Sequence, residues 1–175
     1  MKVTLEAINQ AIAALFFICY AYQFVYIPIA LFRKKKRLPA AAPHRYAVLI
    51  AARNEEAVIG DLLDSLHRQD YDMSLVTVFV IADNCTDRTA AIAAEKGAVV
   101  YTRENRRQVG KGYALEALLA HIRSDYPDGY DAYLVFDADN LLAPDFITRM
   151  NESYAAGNEI ITCYRNSKNY GSNWI

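Results

Sequence analysis

Two carboxylates separated by one alanine follow an apolar run in the middle of the chain. The run reads "YLVF" (133–136), and Asp137 and Asp139 come directly after it. Residues two apart in extended backbone point the same way, so both carboxylates could face one point and would repel each other if unpaired. A divalent cation removes that repulsion, and carboxylates together with substrate phosphates are ligands that Mg²⁺ or Mn²⁺ prefers. The pair therefore indicates a metal-bridged phosphate ligand.

Polar residues also follow two other apolar runs of strand length. "ARNEE" places Arg53 and Glu55 after the run 46–52, and "ADNCTD" places Asp83 after the run 75–82. Asp and Asn are favoured in turns and at helix starts, so each could instead be a cap, and Asp87 could brace the start of its helix. The cap interpretation does not explain why all three ends should be rich in acids and amides.

A basic, glycine-containing loop supplies the complementary charge. It reads "RENRRQVGKGYAL" (103–115), and Lys111 between Gly110 and Gly112 could meet a diphosphate. The loop is not a Walker A motif, because Asn105 and Gly112 stand where that motif needs Gly and Ser or Thr. The alternative is a surface lysine in a flexible loop. The first strand–helix turn has no G-x-G-x-x-G pattern, which argues against a dinucleotide site.

The elements that must position these residues alternate between strand and helix. Five apolar runs predict strands, at 46–52, 75–82, 98–101, 132–136 and 159–164. Apolar residues at helical spacing lie between and after them, at 55–66, 86–97, 115–122 and 144–154. This alternation predicts an α/β fold, a mostly parallel sheet with helices on both faces. Ligands of such sheets bind at the carboxyl ends of the strands, where the polar residues are.

The N-terminal segment predicts a transmembrane helix. Residues 7–32 carry no charge, and a helix of that length covers about 39 Å, more than the roughly 30 Å of a bilayer core. Pro28 is expected to kink it near its end. Five basic residues (33–37) follow, so the positive-inside rule places the rest of the chain in the cytoplasm of a membrane-bound protein. For the apolar segment, the alternative is a cleaved signal peptide. For the basic run, the alternative is a solvated charge run or a nucleic-acid-binding patch.

Charge and composition argue against nucleic-acid binding and indicate the cellular compartment. The basic run contributes five of the 19 basic residues, so the rest of the chain carries 14 basic against 20 acidic residues, a poor match for nucleic acid. Three widely spaced cysteines suit a reducing compartment. The three histidines, His44, His67 and His121, show no metal-ligand spacing. We predict a membrane segment with its basic flank (1–37), a linker (38–45) and one α/β domain (46–175).

The order of "LIAARNEE", "VIADNCTD", "GKGYAL" and "FDADN" resembles glycosyltransferase family 2 over about residues 46–165. The resemblance implies a GT-A fold and a nucleotide-sugar donor, usually carrying uracil. With its membrane segment the chain is similar to the membrane-bound branch, which includes cellulose, hyaluronan and poly-N-acetylglucosamine synthases. The acceptor would be a saccharide or a lipid-linked hydroxyl.

The resemblance also implies roles for individual residues. Ala51 and Arg53 would border the base, Asp83 would hydrogen-bond it, and Asp137 would sit by the ribose and diphosphate. Lys111 would lie near the diphosphate, Glu55 is a further donor-site candidate, and Asp137 and Asp139 would hold Mg²⁺ or Mn²⁺.

The implied reaction is attack of the acceptor hydroxyl on the anomeric carbon with inversion. The general base and a Q-x-x-R-W motif would lie beyond Ile175, so we expect the chain to be the donor-binding N-terminal part of a longer enzyme. One alternative is a non-catalytic nucleotide-sugar-binding module, or a truncated product, that acts with a partner. Another is a sugar-phosphate nucleotidyltransferase, which should have a glycine-rich loop where "AARNEE" has no glycine.

Overall fold

The computed structural model describes residues 2–32 and 38–165 of the 175-residue chain. The chain divides into two compact units, Met1–Arg37 and Leu38–Ile175. The basic run 33–37 and the segment 166–175 lie outside the described residues.

The first unit is helical, with α1 at Lys2–Ala21 and α2 at Gln23–Phe32. The helix is interrupted at Tyr22, and α2 continues through Pro28. By length and composition, Thr4–Phe32 is long and apolar enough to cross a membrane. Its large apolar side chains are exposed, for example Leu31 at 77%. An exposed apolar surface of this size is unfavourable in water and is typical of a membrane or protein contact.

The second unit contains a four-stranded parallel sheet. Its strands are β1 (Tyr46–Ala52), β2 (Val76–Asp83), β3 (Val99–Arg103) and β4 (Ala132–Asp137). The strand order is β3-β2-β1-β4, and all three pairings are parallel. This confirms the predicted parallel sheet.

Four helices cover the two faces of the sheet. They are α3 (Ile59–His67), α4 (Thr89–Glu95), α5 (Lys111–Asp125) and α6 (Phe146–Ala155), with a short 3₁₀ turn at Met73–Leu75. Side chains of α3, α4 and α6 pack on one face, and α5 packs on the other. Alternate residues of β1 enter both cores, Val48 and Ile50 one and Ala47 and Leu49 the other. Burial on both faces explains why this strand is continuously apolar.

The predicted fifth strand, 159–164, was wrong. These residues form no strand, and Ile160 and Tyr164 are about nine-tenths exposed (91% and 89%). The segment has the composition of a strand, but a strand also needs a neighbour with which to share backbone hydrogen bonds. Within the described part of the chain β4 therefore forms an open edge, with Tyr133 and Val135 about half exposed.

The histidines occupy structural or surface positions. His44 Nδ1 lies 2.9 Å from Asn151 Oδ1, His67 Nε2 lies 2.8 Å from a backbone carbonyl after α4, and His121 stacks on Tyr101. Across the described residues no group of three or more His, Cys, Asp or Glu side chains is placed to hold a metal ion.

Candidate functional site

The register of the sheet brings the predicted site residues to one edge. Ala51 at the end of β1 pairs with Asp137 at the end of β4, and Asp83 at the end of β2 pairs with Arg103 at the end of β3. Adjacent strands are 4.7–4.9 Å apart, so the ends of β2 and β4, separated by β1, are about 10 Å apart. We call this edge, with the turns that follow it, the rim.

A buried ion pair joins two strand ends. Arg103 Nη1 donates to Asp83 Oδ1 at 2.6 Å, and the two side chains are only 11% and 6% exposed. Asn84 Nδ2 donates to the same oxygen at 3.0 Å. The sequence pattern does not reveal Arg103, because the apolar run of the third predicted strand ends at residue 101 and position 103 falls in the predicted loop. Extending that strand by two residues would have placed Arg103 at a strand end with the other candidates.

Two asparagines shape the turns that follow β1 and β2. Asn54 and Asn84 have φ of 56° and 53°, a left-handed conformation that asparagine tolerates better than most residues. Asn54 Oδ1 accepts a hydrogen bond from the backbone N–H of Thr86 at 2.8 Å, and Asn84 Oδ1 accepts one from that of Asn105 at 2.9 Å. Each side chain thus ties its own turn to a neighbouring loop.

Asp87 braces the turn before α4. Its Oδ1 accepts from the backbone N–H and hydroxyl of Thr89 at 3.0 and 2.6 Å, and its Oδ2 accepts from the backbone N–H of Glu56 at 3.1 Å. Burial raises the pKa of this carboxyl, but the hydrogen bonds together hold it below its ordinary value. The bracing interpretation weighed for Asp87 therefore fits these contacts.

The other residues predicted around β1 lie at or just past its end. Ala51 is half-buried within the strand, and Arg53 is exposed in the turn after it. Glu55 is partly buried in the turn before α3, where its backbone N–H donates to Thr89 Oγ1 at 2.8 Å. The side chain of Arg53 is therefore accessible to a ligand at the rim.

Lys111 and Asp137 form an ion pair on the other side of the rim. Lys111 is the first residue of α5, and its Nζ donates to Asp137 Oδ1. Arg165 Nη1 lies 3.7 Å from the second oxygen. The hydrogen bond from Lys111 lowers the pKa of Asp137 although burial opposes it, so this carboxylate stays ionised near neutral pH. The two side chains are 44% and 42% exposed and reachable from solvent.

Gly110 sets the start of α5. Its φ of 131° and ψ of 156° lie in a region that glycine alone occupies without strain. Gly112 has no such conformation, and a Cβ added there would meet nothing within 4 Å. Of the two glycines around Lys111, Gly110 is the one that the backbone requires.

Asp139 lies in a turn rather than in extended backbone. β4 ends at Asp137, and the backbone N–H of Asn140 donates to the Asp137 carbonyl at 3.0 Å. Asn140 Nδ2 donates to Asp139 Oδ1 at 3.2 Å, and its own Oδ1 accepts from the backbone N–H of Asp137 at 3.2 Å. The two carboxylates therefore share one short turn, and Asp139 is exposed.

The chemistry of this turn fits a hard divalent cation. Asp137 and Asp139 offer carboxylate oxygens, and the described residues provide no larger ligand cluster. Mg²⁺ is commonly held by one or two carboxylates together with substrate phosphates and water. The residues present therefore suit a cation that takes its remaining ligands from a phosphate-bearing substrate.

A cavity of about 1040 Å³ lies beside the turn, along the open edge of β4. Its lining is mainly apolar and includes Val135, Leu141 and Met150, with Asp139 among its polar members. The turn that carries the two carboxylates therefore has open space next to it.

Comparison with known proteins gives one family. The model of Glycosyl transferase family 2 matches residues 47–175. A beta-monoglucosyldiacylglycerol synthase of Synechocystis sp. is 33% identical over 114 residues, covering 62% of this chain and 22% of its own. A low-salt glycan biosynthesis hexosyltransferase of Haloferax volcanii is 34% identical over 95 residues, covering 54% of this chain and 22% of its own. The matches thus span about a fifth of the length of these curated relatives.

Solved structures share the fold. A mannosyltransferase from Pyrobaculum calidifontis, in complex with GDP-Man and Mn²⁺, has a TM-score of 0.69 at 23% identity and covers 85% of this chain and 43% of its own. TarS of S. aureus has a TM-score of 0.50 at 22% identity and covers 61% and 18%. The sheet and its helices have the GT-A arrangement that the sequence resemblance implied.

Proposed function

The chain belongs to glycosyl transferase family 2, and we propose that its rim binds the nucleotide-sugar donor of an inverting sugar transfer to a hydroxyl acceptor. The observation that carries the proposal is the spacing of two charged positions on one edge. Asp83 lies at the end of β2 and the Lys111–Asp137 pair at the end of β4, about 10 Å away. A nucleoside diphosphate spans such a distance from its base to its phosphates.

The two positions offer different chemistry to such a ligand. Asp83 has a carboxylate oxygen that can accept an N–H from the base, beside Ala51 and the exposed Arg53. Lys111 offers an ammonium group that can meet the diphosphate. We propose a UDP-sugar as the donor. Guanine also carries an N–H on its pairing edge, and the Pyrobaculum structure contains GDP-Man, so GDP is the natural competitor.

Asp137 and Asp139 would hold Mg²⁺ or Mn²⁺ against the diphosphate. The bound cation would neutralise charge on the departing diphosphate. The chain's own contribution is to keep Asp137 ionised, to present Asp139 to solvent and to aim Lys111 at the same turn. The Pyrobaculum mannosyltransferase contains Mn²⁺ together with its donor.

The acceptor hydroxyl would attack the anomeric carbon on the face opposite the diphosphate. A general base must take the hydroxyl proton in that step, and none of the residues placed above is assigned that part. The saccharide or lipid-linked acceptor would approach from the cavity side of the turn, where Asp139 meets open space.

The first unit would anchor the enzyme in the membrane. Thr4–Phe32 is long and apolar enough to span it, and the five basic residues at 33–37 favour a cytoplasmic second unit. This location would give the rim access to cytoplasmic nucleotide sugars.

Calorimetric titration of the full chain in detergent micelles tests the base-binding part of the proposal. UDP and GDP are each titrated in the presence of Mn²⁺ into the wild type, Asp83→Ala and Asp83→Asn. Because a hydrogen bond to a charged group contributes about 1.5–3 kcal/mol, we expect affinity for the preferred nucleotide to fall by roughly 10- to 150-fold.

Asp128→Ala is the matched control, since Asp128 is exposed in the loop before β4, at the opposite edge of the sheet. Circular dichroism verifies that each variant is folded, and Asp83→Asn serves if the alanine variant is not. A folded Asp83 variant that binds both nucleotides like the wild type would remove Asp83 from the site.

A further inference from the structure

We propose that Arg103 couples the two halves of the donor site, by holding the base-binding Asp83 and the loop that leads to Lys111 in one arrangement. The inference rests on the proposed function and names a positioning residue for it. It starts from one guanidinium group that contacts both parts.

Arg103 contacts each part through a different nitrogen. Nη1 donates to Asp83 Oδ1 at 2.6 Å, and Nη2 donates to the backbone carbonyl of Gln108 at 2.9 Å. The Arg103 and Asp83 side chains are only 11% and 6% exposed, so the bond between them is largely shielded from water and is stronger than its counterpart on the surface. The bond to the Gln108 carbonyl lies at the exposed end of the guanidinium group. The planar guanidinium also fixes the directions of its two N–H groups relative to each other.

The contact at Asp83 orients the carboxylate. Oδ1 accepts from Arg103 and also from Asn84 Nδ2, so two donors fix that oxygen. The second oxygen, Oδ2, is then the acceptor available to an N–H of the base. If Arg103 moved, the carboxylate could rotate, and Oδ2 would no longer be held in one direction.

The contact at Gln108 attaches Arg103 to a loop that has its own internal hydrogen bonds. Asn105 Oδ1 accepts from the backbone N–H groups of Arg107 and Gln108 at 2.9 and 3.0 Å. Asn84 binds the backbone of Asn105 from the neighbouring turn, through its Oδ1 at 2.9 Å and its Nδ2 at 3.2 Å. Gln108 stands three residues before Lys111, so a shift of this loop moves the start of α5.

These contacts form a continuous path from the base position to the phosphate position. It runs from Asp83 through Arg103 to Gln108, and from there along the backbone to Lys111 and its partner Asp137. A substitution at Asp83 should therefore change phosphate binding at the other end of the site. A salt bridge that only stabilised the fold would give no such effect in a folded variant.

Hydrogen–deuterium exchange of the ligand-free full chain in detergent tests the mechanical link. Arg103→Met and Asp83→Asn should both increase exchange at residues 104–110, while the β1 amides stay protected. Arg103→Lys keeps the charge beside Asp83 but cannot reproduce both bonds, so it should loosen the same loop to a smaller extent. Arg107→Met is the control, because the Arg107 side chain is exposed in the same loop.

Pyrophosphate with Mn²⁺ tests the functional consequence, since this probe has no base to contact Asp83. Asp83→Asn should weaken pyrophosphate binding by about two- to tenfold, and should have little further effect when Arg103 is already Met, as coupled residues behave in a double-mutant cycle. Unchanged loop exchange and unchanged pyrophosphate affinity in a folded Asp83→Asn variant would overturn the coupling. If the wild type bound neither pyrophosphate nor a nucleotide, the proposed function would be wrong. The exchange measurement would still test whether Arg103 connects Asp83 to the loop at 104–110.

Discussion

Asp83 and Asp137 each reach the rim with a cationic partner already in place. Arg103 pairs with Asp83 in a nearly buried contact, and Lys111 pairs with Asp137 in a half-exposed one. The difference in exposure suits different roles. A buried pair holds its geometry, because separating it leaves an uncompensated charge, whereas an exposed pair contributes little and exchanges easily. In the proposed site Asp83 is therefore fixed, and Asp137 is free to exchange Lys111 for another partner.

The Lys111–Asp137 pair predicts a competition between lysine and metal. Without nucleotide, Lys111→Met should raise Mn²⁺ affinity by about 1.4- to fivefold, because exposed ion pairs contribute about 0.2–1 kcal/mol that the metal no longer has to displace. With UDP or GDP present, the same variant should bind the nucleotide more weakly, since the ammonium group facing the diphosphate is gone. Electron paramagnetic resonance of free Mn²⁺ measures the first effect, and calorimetry measures the second.

Arg165→Met is the control for that experiment. Arg165 lies 3.7 Å from the other oxygen of Asp137 and is 72% exposed, so its loss should change Mn²⁺ affinity less. Equal Mn²⁺ affinity in the wild type and Lys111→Met would contradict the competition.

Sequence alone located the rim residues but not their partners. Asp83, Asp137 and Asp139 follow apolar runs, and a position at a strand end can be read from that pattern. Arg103 could not be paired with Asp83 in this way, because the pairing depends on the register between β2 and β3. The turn at Asp139 could not be predicted either. The expectation that residues two apart point the same way assumes that the extended backbone continues past Asp137, where β4 ends.

The start of α5 is the element that aims Lys111. Gly110→Ala should lower the free energy of unfolding by about 1–3 kcal/mol, because alanine at φ 131° is strained. Gly112→Ala is the matched control two residues away. It should be neutral or stabilising by up to about 1 kcal/mol, because alanine favours a helix and the added methyl group meets open space.

Urea unfolding of the full chain in detergent micelles, without ligand and followed by circular dichroism, compares the two variants. Similar free energies of unfolding for Gly110→Ala and Gly112→Ala would show that the backbone does not require Gly110.

The elements themselves were largely predictable, and the exception is informative. Apolar runs of strand length identified the four strands, and apolar residues at helical spacing identified the helices that follow them, because each element presents apolar side chains to the core. The segment 159–164 has the same β-branched and aromatic character and yet forms no strand. Composition describes what a strand would bury, whereas strand formation also needs a paired neighbour, which a local pattern does not contain.

At the scale of the whole molecule, we propose that the sheet binds the donor and that the apolar helix anchors the chain in the membrane. Alkaline carbonate extraction of membranes should leave the wild-type chain in the pellet. Leu15→Lys and Ile18→Lys together should release most of it, because each charge near the centre of a span costs about 2.5–3.5 kcal/mol.

Leu5→Lys is the control for the extraction, since a lysine near a helix end can extend its ammonium group to the interface. Release of the wild-type chain by carbonate would contradict membrane anchoring.

The central claim is that the rim is a metal-dependent site for a nucleoside diphosphate. It is tested most directly by calorimetric titration of the wild-type chain in detergent with UDP and with GDP, each with Mn²⁺ and again after EDTA treatment. We predict that at least one nucleotide binds with Mn²⁺ and that its affinity falls at least about tenfold without the metal, since the cation would share the diphosphate with Asp137 and Asp139. A folded chain that binds neither nucleotide, or binds one equally well without Mn²⁺, would contradict the account.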